Sequence, residues 1–392
     1  MRIGIDAACW ANQRGYGRYV RELVTAMCDE APDTDFVCFL DDRAHDSFEL
    51  TRANVTPVIV EQGTSPTEAA VADSNRSPWD MLKFTRAVAR QDLDVFFSPS
   101  VYTYFPLPPR QRAVVCIHDV IAERFPELTM PSRRARLFWN AKVALALRQA
   151  EVILTVSDYA RDEIVRVLGV RVERIRVAVE APSAGYRPAV DQIAITAAAR
   201  SVGLPDDASW FTYVGGFNPH KNVHDIIEAH ARLAQHFGEG APHLVLVGSH
   251  HSDGFFGDFE DVTDAVARAG TGDLVRTPGF VDDPTLADLH SGALALLLVS
   301  ESEGFGLPAV EAAACGCPVI ATTESPLPGL LPGGGHFVDP GDVDAILAAM
   351  RALAGDREHH ARCASEARAG AEALSWSRAG RAALDAITDA AR

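Results

Sequence analysis

Short apolar runs of strand length alternate along the chain with stretches whose apolar residues recur every three to four positions. Residues 2–6 form the first run and 17–28 the first helical pattern. Runs follow at 36–40, 93–97 and 113–117, then a helix over 131–150, a run at 152–156 and a helix over 158–168. This is β-α-β logic, and it predicts parallel sheets covered by helices on both faces. The rhythm breaks between 179 and 207, where Pro182, Gly185, Pro188, Gly203 and Pro205 surround one helical piece at 191–202. Linkers favour such residues, so a domain boundary belongs there.

A second series then starts. It reads strand 210–214, helix 223–237, strand 244–247, helix 261–269, strand 274–276, helix 285–290 and strand 293–299. Helix 309–315, strand 318–321 and helices 343–354, 358–374 and 377–391 complete it. The expected organisation is an α/β chain of two domains, 1–185 and 186–376, with helix 377–391 crossing back to the first.

Composition narrows the function. The 392 residues are 47% hydrophobic and 23% charged, an ordinary globular balance. Lys and Arg number 36 against 53 Asp and Glu, a net charge of −17. So acidic a chain is a poor binder of nucleic acid. The seven cysteines are irregularly spaced and read as reduced thiols, with Cys315 and Cys317 too few for a zinc site. No signal peptide opens the sequence and no run of about 18 apolar residues exists, so the expected location is the cytoplasm.

Ligands of open parallel sheets bind at the carboxyl ends of strands, and four segments there carry chemistry. Gly15-Tyr16-Gly17-Arg18-Tyr19 reads as a turn between the first strand and first helix, either a phosphate-approaching loop or a plain turn. His118-Asp119 follows the strand at 113–117, as a cleft-facing histidine or a structural pair. Gly215 to Asn222 puts Lys221 at a helix start, where a cation opposes the helix dipole unless an anion binds or water solvates it. Ser300 to Glu311 is the fullest: Gly304 and Gly306 turn, Pro308 suits a first helical turn, and Glu303 and Glu311 flank the turn's amides. Carboxylates suit sugar and ribose hydroxyls and amides suit phosphate, the two needs of a nucleotide sugar.

At this last segment the sequence resembles the retaining glycosyltransferases of family 4, which have the GT-B fold of two Rossmann-like domains facing each other across a cleft. The likeness rests on Glu303 and Glu311, seven residues between them, and on Cys315-Gly316-Cys317-Pro318 after them. Gly4-Ile5-Asp6-Ala7, Gly15 to Tyr19, Thr155 to Arg161, Gly215 to Asn222 and Val338-Asp339-Pro340 match in order. The resemblance implies that Glu303 contacts the transferred sugar and that Glu311 holds the ribose. Gly304, Phe305, Gly306 and Leu307 would offer backbone amides to the donor. Lys221, with Gly216 and His220 beside it, would meet the diphosphate. Gly15 and Gly17 would border the phosphates, and His118 would line the sugar pocket.

The chain departs from the family at three points. Many members carry Arg where it has Gly216, others Arg where it has His220, and Gly329 replaces a common acidic residue. The second cation would then be His220 protonated by the diphosphate, or Arg18 or Arg161. The implied reaction moves a hexose with retention, through a front-face step in which the leaving phosphate helps deprotonate the acceptor, and with hinge closure to exclude water. It needs no metal ion or cofactor. The Gly215–Asn222 variant resembles mannosyltransferases, which puts a GDP-sugar ahead of a UDP-sugar. The acceptor is a glycan, a glycolipid or a small molecule. The basic helix at 131–150, with Phe138 and Trp139, suits a lipid-linked acceptor and peripheral contact at the inner membrane face. A UDP-sugar epimerase of the same fold, or a non-catalytic sugar-nucleotide-binding homologue, are the competing readings.

Overall fold

The computed structural model describes residues 1–12, 15–63, 77–130, 132–249 and 259–392. Contacts divide the chain into two compact units. One holds Met1–Glu180 with Ser375–Arg392, and the other holds the described residues from Ala181 to Leu374.

The first unit is built on β1 (Arg2–Asp6), β2 (Asp35–Leu40), β3 (Val55–Ile59), β4 (Val95–Ser98), β5 (Ala113–Cys116), β6 (Val152–Thr155) and β7 (Ile175–Val177). They form one parallel sheet in the order β3-β2-β1-β4-β5-β6-β7. Every residue of β4, β5 and β6 is buried, so these strands read as unbroken apolar runs. The covering helices are α1 (Gly15–Glu30), α2 (Asp42–Asp46), α3 (Pro78–Ala89), α4 (Ile121–Arg124), α5 (Pro126–Thr129), α6 (Arg133–Gln149) and α7 (Asp158–Leu168). Ser157 caps α7 by accepting from the Ala160 amide, and Gly169 closes it in a left-handed turn. The expected turn at Gly15–Gly17 is instead the first turn of α1, which starts two residues earlier than its apolar pattern.

The second unit repeats the plan with α8 (Gln192–Ser201), β8 (Trp210–Val214), α9 (Val223–Phe237), β9 (His243–Val247), α10 (Phe259–Ala269), β10 (Val275–Gly279), α11 (Asp283–Gly292) and β11 (Ala295–Leu298). It continues with α12 (Leu307–Ala314), β12 (Val319–Thr322), α13 (Leu327–Leu330), β13 (Gly335–Val338), α14 (Val343–Gly355) and α15 (Arg357–Glu372). The sheet order is β10-β9-β8-β11-β12-β13, again all parallel. Phe211, Ile226, Leu244, Leu297, Ile346 and Met350 pack its core. The last helix, α16 (Trp376–Ala391), belongs to the first unit. It lays a face of small residues on α1, where a Cβ at Gly380 would lie 3.0 Å from the Ala26 carbonyl carbon. Ser377 and Arg381 both bond to Glu30 there.

Candidate active site

Both sheets change direction once, at β1/β4 and at β8/β11. Such switch points splay the loops beyond the two strands and leave a crevice at their carboxyl ends. In the second unit the loop after β8 carries Gly215 to Asn222, and the loop after β11 carries Ser300 to Gly306. Two motifs some eighty residues apart are therefore neighbours because their strands pair, Phe211 with Ala295 and Thr212 with Leu296.

The loops are stitched together by backbone and side chain. The Glu301 amide donates to the His220 carbonyl at 2.8 Å. Asn222, at φ 52°, donates to the Val299 carbonyl at 3.2 Å and to Glu301 Oε1 at 3.1 Å. Asn tolerates this left-handed conformation better than most residues. A third loop joins in, as the Glu303 amide donates to the Glu324 carbonyl at 3.0 Å.

At the centre stands an ion pair. Lys221 Nζ donates to Glu303 Oε1 at 2.8 Å, and Ser300 Oγ donates to the same oxygen at 2.6 Å. The side chains are 19% and 11% exposed, so the pair is shielded yet reachable. Lys221 lies in a 3-10 turn, Pro219–Lys221, ahead of α9 rather than in its first helical turn. The anion that meets its charge is Glu303.

Without the diphosphate that would protonate it, His220 is held neutral. Burial, and then the Lys221 charge beside it, push its imidazole down to about 3. Its Nδ1 is buried without a hydrogen-bond partner among the described residues. Arg161, the alternative, sits on α7 in the other unit and pairs with Asp158 at 2.5 Å and Asp162 at 2.9 Å. Arg18, on α1, also belongs to that unit.

Gly306 precedes α12 at φ 90°, and a Cβ there would come within 2.8 Å of Leu327 Cδ1. Glycine is needed on both counts. Phe305 and Leu307 are buried, which leaves their backbone as the part that could serve a ligand. Pro308 occupies the first turn of α12, and Glu311, 4% exposed, follows about one turn in. Gly216 accepts a hydrogen bond at its carbonyl from Tyr213 Oη, and its Cβ would crowd Asn218 Oδ1 at 2.6 Å. Burial, and then Glu303 nearby, raise the Tyr213 phenol, which stays protonated and donating.

Gly15, Gly17 and His118 belong to the first unit. Gly15 is exposed, with nothing among the described residues within 4 Å of a would-be Cβ. Gly17 is glycine for packing, since a Cβ would sit 2.1 Å from the Asn12 carbonyl oxygen. His118 stands beyond β5 with both ring nitrogens engaged: Nε2 lies 2.9 Å from the Pro99 carbonyl oxygen and Nδ1 3.4 Å from Glu180 Oε1. Both of these partners are acceptors, and an imidazolium donates to each. Burial alone would lower His118, but the Cys116 and Glu180 side chains outweigh it, and the ring titrates well above its ordinary value. A sugar hydroxyl would therefore have to take one of these nitrogens from its protein partner. Tyr19 packs edge-on against the ring at 4.4 Å and places its hydroxyl 3.3 Å from Cys116 Sγ.

Ser300, Glu301 and Asn222 lie inside the motifs without having been given a role there, Tyr213 adjoins one of them, and Glu180 carries no motif at all. Glu180 lies 62 positions from His118 in a segment with no pattern, so only the fold pairs them.

Comparison with known proteins converges on one family. Residues 195–370 match the model of glycosyl transferases group 1, and residues 14–178 match that of glycosyltransferase family 4. The O-antigen chain mannosyltransferase B of Escherichia coli is 32% identical over 259 residues, covering 65% of this chain and 63% of that protein. A D-inositol 3-phosphate glycosyltransferase of Streptomyces avermitilis is 32% identical over 268 residues, 66% of this chain and 56% of its own length. The chain thus matches less than two thirds of either relative. Sucrose-phosphate synthase from Thermosynechococcus elongatus shares the fold over 99% of this chain and 98% of its own, with a TM-score of 0.77 at 20% identity. With a family model on each sheet and GT-B architecture throughout, the chain belongs to the family 4, group 1 glycosyltransferases.

Proposed function

We propose that the protein transfers a hexose from a nucleoside diphosphate sugar, with retention at the anomeric carbon, to a glycan, glycolipid or small-molecule acceptor. The observation that carries this reading is the Lys221–Glu303 pair at the carboxyl ends of β8 and β11. A shielded ammonium beside a helix start suits a diphosphate whose charge grows as it leaves. Lys221 and the start of α12 supply that charge, so the reaction runs without a metal ion. Glu303 already accepts two donors on one oxygen, which suits orienting sugar hydroxyls better than attacking carbon. Glu311 holds the ribose. Mannose carried on GDP is the first donor choice, supported by the mannosyltransferase among the relatives.

The test is incubation with GDP-mannose or UDP-glucose and candidate acceptors, following nucleoside diphosphate release and product configuration by NMR. Acceptor-dependent release with an unchanged anomeric configuration is expected. Interconversion of the sugar without acceptor would point to an epimerase, and binding without turnover to a non-catalytic homologue. Either result overturns the proposal.

A further inference from the structure

Helix α6 is apolar on two sides. Its inner side buries Val143 and Ala146, and Trp139 packs against the same core. At about 100° per residue, Arg133, Arg134, Leu137, Phe138, Ala141 and Arg148 fall within an arc of roughly 140° on the outer side. All six are exposed, and Leu137 and Phe138 keep 69% and 51% of their surface in solvent.

Charge sets this face apart. The helix carries five basic residues and no acidic one, in a chain whose net charge is −17. Arg133, Arg134 and Arg136 crowd its first turn, where the helix dipole disfavours cations. The Arg134 guanidinium lies 5.5 Å from the Phe138 ring centroid, so cation and aromatic present one surface. Glu123, close by on α4, is occupied by Trp139 Nε1 at 2.7 Å.

We propose that the outer face of α6 docks on a bilayer containing anionic lipid, with Leu137 and Phe138 entering the interface and the arginines meeting headgroup phosphates. Charge complementarity selects the occupant. An acidic protein or a free phosphate would engage the arginines but leave two large apolar side chains unexplained. The interfacial mode pairs an apolar stripe with basic residues in this way. The helix lies on the surface, since no described helix is long and apolar enough to cross a membrane. The proposal goes beyond the transferase reading, and vesicle binding is measured without substrate, so the two stand or fall separately.

The experiment is co-sedimentation of the full chain with vesicles of phosphatidylcholine alone, or with about one third phosphatidylglycerol. Binding to the mixed vesicles only, weakened by salt, is expected. Arg133→Gln and Arg134→Gln should each lose roughly fivefold, and Leu137→Ser with Phe138→Ser at least about tenfold. Melting temperatures should hold, because these side chains are exposed. Absence of binding, or equal binding to pure phosphatidylcholine, overturns the proposal. So does loss in the arginine variants with none in Leu137→Ser and Phe138→Ser, which would indicate an acidic partner instead.

Discussion

Glu303→Gln should tighten the binding of a nucleoside diphosphate while slowing transfer. In the unliganded protein Lys221 is held by Glu303 at 2.8 Å, so a diphosphate must first take the ammonium away. A hydrogen bond to a charged group contributes about 1.5–3 kcal/mol. With Lys221 19% and Glu303 11% exposed, some screening remains and the lower end of that range applies, about 1.5 kcal/mol. Glutamine keeps the shape and removes the competing charge, so affinity should rise by up to roughly tenfold. Ser300 still has an oxygen to donate to, which keeps the loop in place. Transfer should fall by roughly 10²–10³, the usual cost of one preorganised polar group at a reacting centre. Lys221→Met should weaken diphosphate binding, because the cation itself is gone. Calorimetric titration with GDP and UDP against both variants and the wild type gives the signs. If Glu303→Gln leaves affinity unchanged or lowers it, with an unaltered melting temperature, the pair does not compete with the ligand.

Three further outcomes follow from local geometry. Gly17→Ala should lose about 1–3 kcal/mol in denaturant unfolding because its Cβ meets the Asn12 carbonyl, whereas Gly15→Ala, with no described residue within 4 Å of the new Cβ, should hold or gain up to about 1 kcal/mol. The raised titration of His118, set by Cys116 and then Glu180 against burial, gives a stabilisation complete below about pH 6.5 and lost as pH rises through the higher folded value; Glu180→Gln should lower the His118 titration seen by NMR in part and lessen that loss. His220 has the opposite sign: neutral in the fold down to about 3, it contributes stability above about pH 6.5 that is lost as pH falls towards 3, and His220→Gln should reduce that acid loss in denaturant midpoints measured across pH.

Some elements were legible because burial wrote them into the sequence. The helix Asp158–Leu168 has a cap, an amphipathic period and a terminal glycine, and strand Trp210–Val214 is an apolar run between turns. Strand Val55–Ile59 gave no such signal: it is a sheet edge, largely exposed, with Pro57 inside it. Gly335–Val338, the opposite kind of edge in the second sheet, opens with a glycine whose Cβ would strike the Val319 carbonyl at 1.9 Å. The motif around Glu303 was legible as chemistry, but its contact with Lys221 was not. That contact depends on β8 and β11 being neighbours, and strand order is a property of the sheet rather than of either segment. The neutrality of His220 was hidden for a related reason, since only the packed fold desolvates it beside Lys221.

The most direct test of a nucleoside diphosphate site in the second unit is a thermal shift with GDP, UDP, ADP and dTDP, with Glu311→Ala and Lys221→Met alongside. At 100 times its dissociation constant a ligand adds about 2.7 kcal/mol, which raises the melting temperature visibly. One of the four should stabilise the wild type, and both variants should lose the effect. No shift with any of them, or an undiminished shift in both variants, would contradict such a site.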